Sequence, residues 1–214
     1  MTIYNNIVSF FQSGGTFMYP IVVVLALGMA IAVERYLFLS YAALRNRKAW
    51  NDLMPLLSSG KFREAQGIIE QSGAAISKIL SYGLASLIKA RRRDDVQMAM
   101  EEGLMEVIPR MEKRTHYLAT LANIATLLGL LGTIIGLIQA FTAVANANPA
   151  EKADMLSASI SVAMNTTAFG LMVGIPLLLV HAVLQTKSTQ LIDNMEMATV
   201  KVVNLIGDRS QASA

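Results

Sequence analysis

Residues 117–144 read YLATLANIATLLGLLGTIIGLIQAFTAV and residues 156–185 read LSASISVAMNTTAFGLMVGIPLLLVHAVLQ, and neither stretch contains Asp, Glu, Lys or Arg. At about 1.5 Å of rise per residue, each exceeds the roughly 30 Å hydrocarbon core of a bilayer, so both read as membrane spans that tilt or protrude. Phe17 to Leu39 is a third such segment, charged only at Glu34-Arg35 near its far end. The fold class that follows is an all-α membrane protein with three transmembrane helices, since helices satisfy their own backbone polar groups in lipid.

Composition points the same way. Of 214 residues, 54% are hydrophobic and only 15% charged, and the mean hydropathy is +0.47, which is too apolar for a soluble domain of this length. The absence of cysteine excludes a disulfide framework and a thiolate zinc site. A net charge of +3 does not indicate nucleic acid, because the basic residues cluster at one set of span ends. Residues 1–16 carry no Lys or Arg, so the basic region of a cleavable signal is missing and the first span is expected to be retained. Within them Ile3, Ile7, Val8, Phe10 and Phe11 recur at helical spacing. That pattern fits a short helix lying on the membrane surface and fits a frayed apolar terminus equally.

The positive charges set the orientation. Arg35, Arg45, Arg47 and Lys48 follow the first span, Arg110, Lys113 and Arg114 precede the second, and Lys187 and Lys201 follow the third. The loop between the second and third spans has only Lys152, beside Glu151 and Asp154. Positive charge stays inside. The expected order is therefore an external 1–16, a span at 17–39, a cytoplasmic helical region at 40–116, a span at 117–144, an external loop at 145–155, a span at 156–185 and a cytoplasmic helix and tail at 186–214. The basic residues serve as solvated topology determinants or as contacts to anionic lipid headgroups.

The cytoplasmic region reads as long helical extensions of the spans. Helices are expected over Lys61–Gln71, broken at Ser72-Gly73, and over Ala74–Arg93, with Asp94 capping the next through Gln97. No strong stop then occurs before Asn146-Ala147-Asn148-Pro149, so one helix of about 75 Å is expected from Asp95 onward, kinked at Pro109. After the third span, Leu191, Met195, Ala198, Val202 and Leu205 repeat in steps of four and three, a seam for packing against another helix.

No residues are arranged for catalysis. There is no phosphate loop, no Cys/His cluster and no nucleophile elbow, so an enzyme, a metal site and a cofactor are not expected. His116 and His181 sit at similar depth near the inner surface and read as interfacial residues before they read as ligands. Without a titratable group at mid-membrane depth, the chain cannot relay protons alone. It does offer small residues and hydroxyls on one face, Thr126, Gly129, Thr133, Gly136 and Ala140, followed in the third span by Asn165, Thr166, Thr167, Gly170 and Gly174. Thr133 lies 11 residues before Val144 and Thr167 11 residues after Leu156, so an antiparallel hairpin sets their hydroxyls at equal depth. Two readings stay open: the pair meets a carboxylic acid or water, or each hydroxyl bonds back to its own helix.

Leu128-Gly129-Leu130-Leu131-Gly132-Thr133-Ile134-Ile135-Gly136-Leu137, with Phe141, resembles the second-span signature of the MotA/TolQ/ExbB proton-channel family. Thr166-Thr167-Ala168-Phe169-Gly170-Leu171 and Gly174-Ile175-Pro176 resemble its third-span signature, and Gly14-Gly15, Pro20 and Glu34-Arg35 agree in the first. The resemblance implies a bacterial inner-membrane protein with a periplasmic amino terminus and a cytoplasmic carboxyl terminus. It further implies a ring-shaped homopentamer around two copies of a single-span partner of the ExbD/TolR type, whose aspartate carries the proton past Thr133 and Thr167, and a TonB-like protein downstream. Thr126, Asn165 and Thr166 are then neighbours of the path, and Gly129, Gly132, Gly136, Gly170, Gly174 and Pro176 serve helix packing. Val162 stands where import-type members often carry glutamate, and Ala125-Thr126 replaces a frequent alanine-proline. The alternatives are a TolQ-like or motility stator subunit and, in another class, a structural scaffold that conducts nothing.

Overall fold

The computed structural model describes residues 14–90, 93–145 and 148–212, without the side chains of 89, 90 and 208–212. The expected surface helix near residues 3–11 lies outside the described residues. Among the described residues six helices follow in order: α1 Met18–Ser59, α2 Phe62–Gln71, α3 Ala75–Ala90, α4 Arg93–Glu112, α5 Thr115–Ala145 and α6 Lys152–Ala212. No strand occurs among the described residues, and α1, α5 and α6 contain the three stretches long and apolar enough to cross a membrane, each with mean hydropathy 2.1. The chain is a membrane protein.

Two compact units divide it. The first takes residues up to Glu34 together with Arg114–Val183, and the second takes Arg35–Lys113 together with the chain from Leu184. In the first unit Met18, Ile21, Leu118, Ala122, Ala125, Ala140, Val173 and Leu177 form the core, while Val23, Leu27, Leu127, Ile134, Ile138 and Leu179 face outward. An apolar exterior suits helices solvated by lipid tails, and the buried Ala122, Ala125 and Ala140 allow the close backbone approach on which helix packing in lipid depends.

The second unit is built like a water-soluble helical domain. Leu53, Leu57, Ile79, Leu80, Leu84, Met100, Leu104 and Val107 are buried. Of the seam on α6, Leu191, Met195, Ala198 and Val202 are buried and Leu205 is half-buried, and the Asn46 amide donates to the Met195 sulfur. Gly60 ends α1 at φ 80°, and its N–H bonds Leu57 while that of Lys61 bonds Leu56. This pair is a Schellman cap, which needs the left-handed conformation that glycine adopts at little cost. The buried Arg35 guanidinium donates to the Met111 carbonyl at the end of α4, joined there by the Ser188 hydroxyl at 2.9 Å. A cation is favoured at that end of a helix.

Two sequence expectations are corrected. The long helix from Asp95 is interrupted at Lys113–Arg114, where Arg114 takes φ 65°, and Pro109 lies inside α4. The left-handed residue costs about 1 kcal/mol or more, and the Arg114–Glu34 ion pair at 3.5 Å accompanies it. Asp94 is not the cap of α4, because the helix starts at Arg93 and Gln97 bonds Glu101 in the next turn.

On the α3–α4 surface, Glu106 accepts from the Lys78 ammonium and, at 2.9 Å, from the Tyr82 hydroxyl, with Arg110 at 3.5 Å. These bonds hold its carboxyl below the ordinary 4.5, Lys78 contributing most, and the neighbouring carboxylate raises the Tyr82 phenol above 10.0. A depressed carboxyl pKa adds stability that is complete above 4.5 and disappears as the pH falls through the lowered value. Glu106→Gln is therefore expected to lower the melting temperature of the detergent-solubilised protein at neutral pH, with the gap to wild type closing on the acid side of 4.5. Thermal scans across that range check it.

Candidate functional site

The Glu151 N–H bonds the Asn148 carbonyl ahead of α6, and the contacts between α5 and α6 run in opposite order along the two helices, so the spans are antiparallel. Glycines bring their backbones together. A methyl group on Gly170 would stand 2.6 Å from the Ala125 carbonyl oxygen and 3.0 Å from the Gly129 Cα, and one on Gly129 would stand 3.2 Å from the Gly170 Cα. Gly174 meets Thr126 and Ala122, and Gly136 meets Ala163. Partner numbers fall along α6 as they rise along α5, which places the packing glycines on one continuous seam. Pro176 does not share it, being exposed within α6.

In that seam Thr133 and Thr167 meet with their hydroxyl oxygens 2.5 Å apart. Thr133 also reaches the Gly129 carbonyl at 3.2 Å and Thr167 reaches the same carbonyl at 2.8 Å. The two readings that the sequence left open are thus present together. Two hydroxyl protons serve three contacts, so whichever way they point, one contact lacks a hydrogen. A helical carbonyl has two lone pairs and already serves its own ladder amide, which leaves it room for one of the two hydroxyls. The other proton can turn to a new acceptor, and the oxygens keep lone pairs for a new donor. Both threonines are half-buried, so the pair is open on one side.

Thr166, expected beside the path, is only 2% exposed. Its hydroxyl is shared between the Val162 carbonyl at 3.0 Å and the Gly14 carbonyl, and its methyl fills the space above Gly132. It locks the approach to α1 onto the hairpin. Thr126 bonds back to the Ala122 carbonyl at 3.1 Å, and Asn165 and Val162 are half-buried on α6. His116 is exposed with its ring 4.3 Å from that of Tyr117, and His181 is half-buried. Among the described residues no group of three His, Asp or Glu is placed to hold a metal. The sequence reading missed the carbonyls of Gly129 and Gly14, since a backbone acceptor leaves no signal beyond the glycine that exposes it.

Residues 71–197 match the profile of the MotA/TolQ/ExbB proton channel family. The chain is similar to an ExbB homolog named for biopolymer transport in Methanothermobacter thermautotrophicus, with 30% identity over 91% of this chain and 68% of the relative. It is similar to a biopolymer transport protein ExbB-like 3 of Synechocystis, with 26% identity over 78% of this chain and 80% of the relative. Likeness to the Tol-Pal system protein TolQ of Haemophilus influenzae is 34% over 39% of this chain and 36% of that protein.

Proposed function

The chain belongs to the MotA/TolQ/ExbB proton channel family, and from that premise we propose that it forms the wall of the ion path in an ExbB-like motor of the bacterial inner membrane. In this reading five copies ring a single-span partner of the ExbD/TolR type, and the partner's aspartate carries the proton. The amino terminus is periplasmic and the carboxyl terminus cytoplasmic, as the basic span ends require. The gradient supplies about 2.3 kcal/mol per charge per 100 mV, which drives rotation of the partner and energises TonB-dependent outer-membrane transport.

The observation that carries the reading is the Thr133–Thr167 pair on a shared carbonyl, within two spans that hold no charge. A protonated acid donates to a hydroxyl oxygen, and an ionised one accepts the hydroxyl proton that Gly129 can spare. The pair therefore serves both states of a passing carboxyl with small rotations of two O–H bonds. Val162 adds no carboxylate of its own, so the titrating group is the partner's. The chain's part is positional and not enzymatic.

Proton uptake into vesicles holding this chain with its partner tests the proposal. Flux is expected with both chains and absent with either alone, and flux from this chain alone would overturn it. The TolQ likeness supports a cell-envelope stator as the second reading. Copies co-purifying with a peptidoglycan-binding partner would favour that version, and a complex that assembles without any flux would favour a scaffold.

A further inference from the structure

Within the second unit, α1, α2, α3 and α4 line a half-open cavity of about 600 Å³, in the range of small-ligand sites. Its wall divides by chemistry. Phe38, Tyr41 and Val107 supply an apolar side, and Arg45, Lys78 and Arg110 supply the positive charge. Lys78 and Arg110 are both engaged by Glu106, and Glu70, also in the wall, accepts from Gln66 at 3.1 Å. Arg45 enters no ion pair among the described residues. Its guanidinium stands 5.4 Å from the centre of the Tyr41 ring and lies against Gly73, where a methyl group would come within 2.5 Å of Nη2.

Against Glu70 in the wall and Glu106 behind it, the three cations leave one net positive charge, and Arg45 is the cation of the three without a carboxylate partner. Depth supplies the second constraint. Leu39 ends the apolar run of the first span, and Tyr41 and Arg45 follow on the same helix about 3 and 9 Å further along. That is headgroup depth. We infer that the cavity binds the headgroup of a monoanionic phospholipid, with the phosphodiester on Arg45 and the start of an acyl chain against Phe38 and Tyr41. A free phosphate dianion would overfill one positive charge beside two carboxylates and leave the apolar side wet. A zwitterionic headgroup would bring a second cation toward Arg45. The inference needs only that α1 crosses a membrane, and it stands apart from ion conduction.

The test places the full-length protein in phosphatidylcholine vesicles containing a minor fraction of phosphatidylglycerol, extracts it gently and counts retained lipids by native mass spectrometry. Enrichment of phosphatidylglycerol is expected for wild type, falling roughly fivefold in Arg45→Gln. Gly73→Ala, which keeps the charge but displaces the guanidinium from its seat, is expected to lower it too. Arg47→Gln removes a charge that is exposed, as Arg45 is, but lies outside the cavity, and it should leave retention unchanged. Equal losses in Arg45→Gln and Arg47→Gln would reduce the effect to diffuse surface charge and overturn the site. So would the absence of any phosphatidylglycerol preference in wild type. Arg45-dependent binding of inorganic phosphate by the detergent-solubilised protein, with no lipid retained, would assign the cavity to a free anion instead.

Discussion

Proton flux through the assembled complex is expected to fall by one to two orders of magnitude when Thr133 and Thr167 are both replaced by valine, while the assembly itself persists. Valine keeps the shape of threonine and removes only the hydroxyl. A hydrogen bond to a charged group is worth about 1.5–3 kcal/mol, and that stabilisation would be lost where the partner's carboxyl changes protonation state. The two single variants should each lose less than half of the double variant's effect on the logarithmic scale, because the surviving hydroxyl still has a proton to give. In Thr133→Val, Thr167 keeps the Gly129 carbonyl at 2.8 Å as an alternative acceptor. The pair is coupled through one carbonyl, so the cycle should depart from additivity by about 0.5 kcal/mol or more. Dye-reported flux in vesicles checks this, and additive single effects would remove the shared-carbonyl argument.

The second large effect belongs to Gly170. Gly170→Ala is expected to destabilise the hairpin by about 1–3 kcal/mol or more, since overpacking against backbone cannot be relieved by a rotamer change. The added methyl group would lie 2.6 Å from the Ala125 carbonyl oxygen, so α5 and α6 must separate. Separation pulls Thr167 away from Thr133 as well, and conduction should fail together with stability. Gly73→Ala is the contrast, because there the methyl group meets only the end of the flexible Arg45 side chain. Thermal stability of the two purified variants checks the difference; a Gly170→Ala protein as stable as wild type would contradict the observed closeness of the helices.

The spans and the hairpin site were legible in the sequence because the bilayer imposes a strong rule and the helix a fixed rise. Counting 11 residues from each side of the loop brought Thr133 opposite Thr167, and the glycine spacing marked the face on which the backbones meet. The break at Lys113–Arg114 was not legible. Nothing in an arginine announces a positive φ, and Pro109 drew attention to a kink four residues before the interruption. Asp94 failed for a related reason, since a capping box differs by one residue from an acidic first turn and Arg93 already begins the helix. Thr166 and Thr167 look alike in sequence, yet one is sealed against Gly14 and Gly132 and the other opens beside Thr133. Adjacent residues on a helix point about 100° apart, and only the third helix's position decides which of them is enclosed.

Hydrogen bonding between the two hydroxyls of this chain and a carboxylic acid supplied by a partner is the centre of the proposed mechanism. Infrared difference spectroscopy of the assembled complex, with the partner's acid isotopically labelled, reads that bond through the carbonyl stretch of the protonated acid. A stretch lowered by hydrogen bonding is expected in wild type, moving to higher frequency when Thr133 and Thr167 are valine. A band at the same position in both proteins would contradict it.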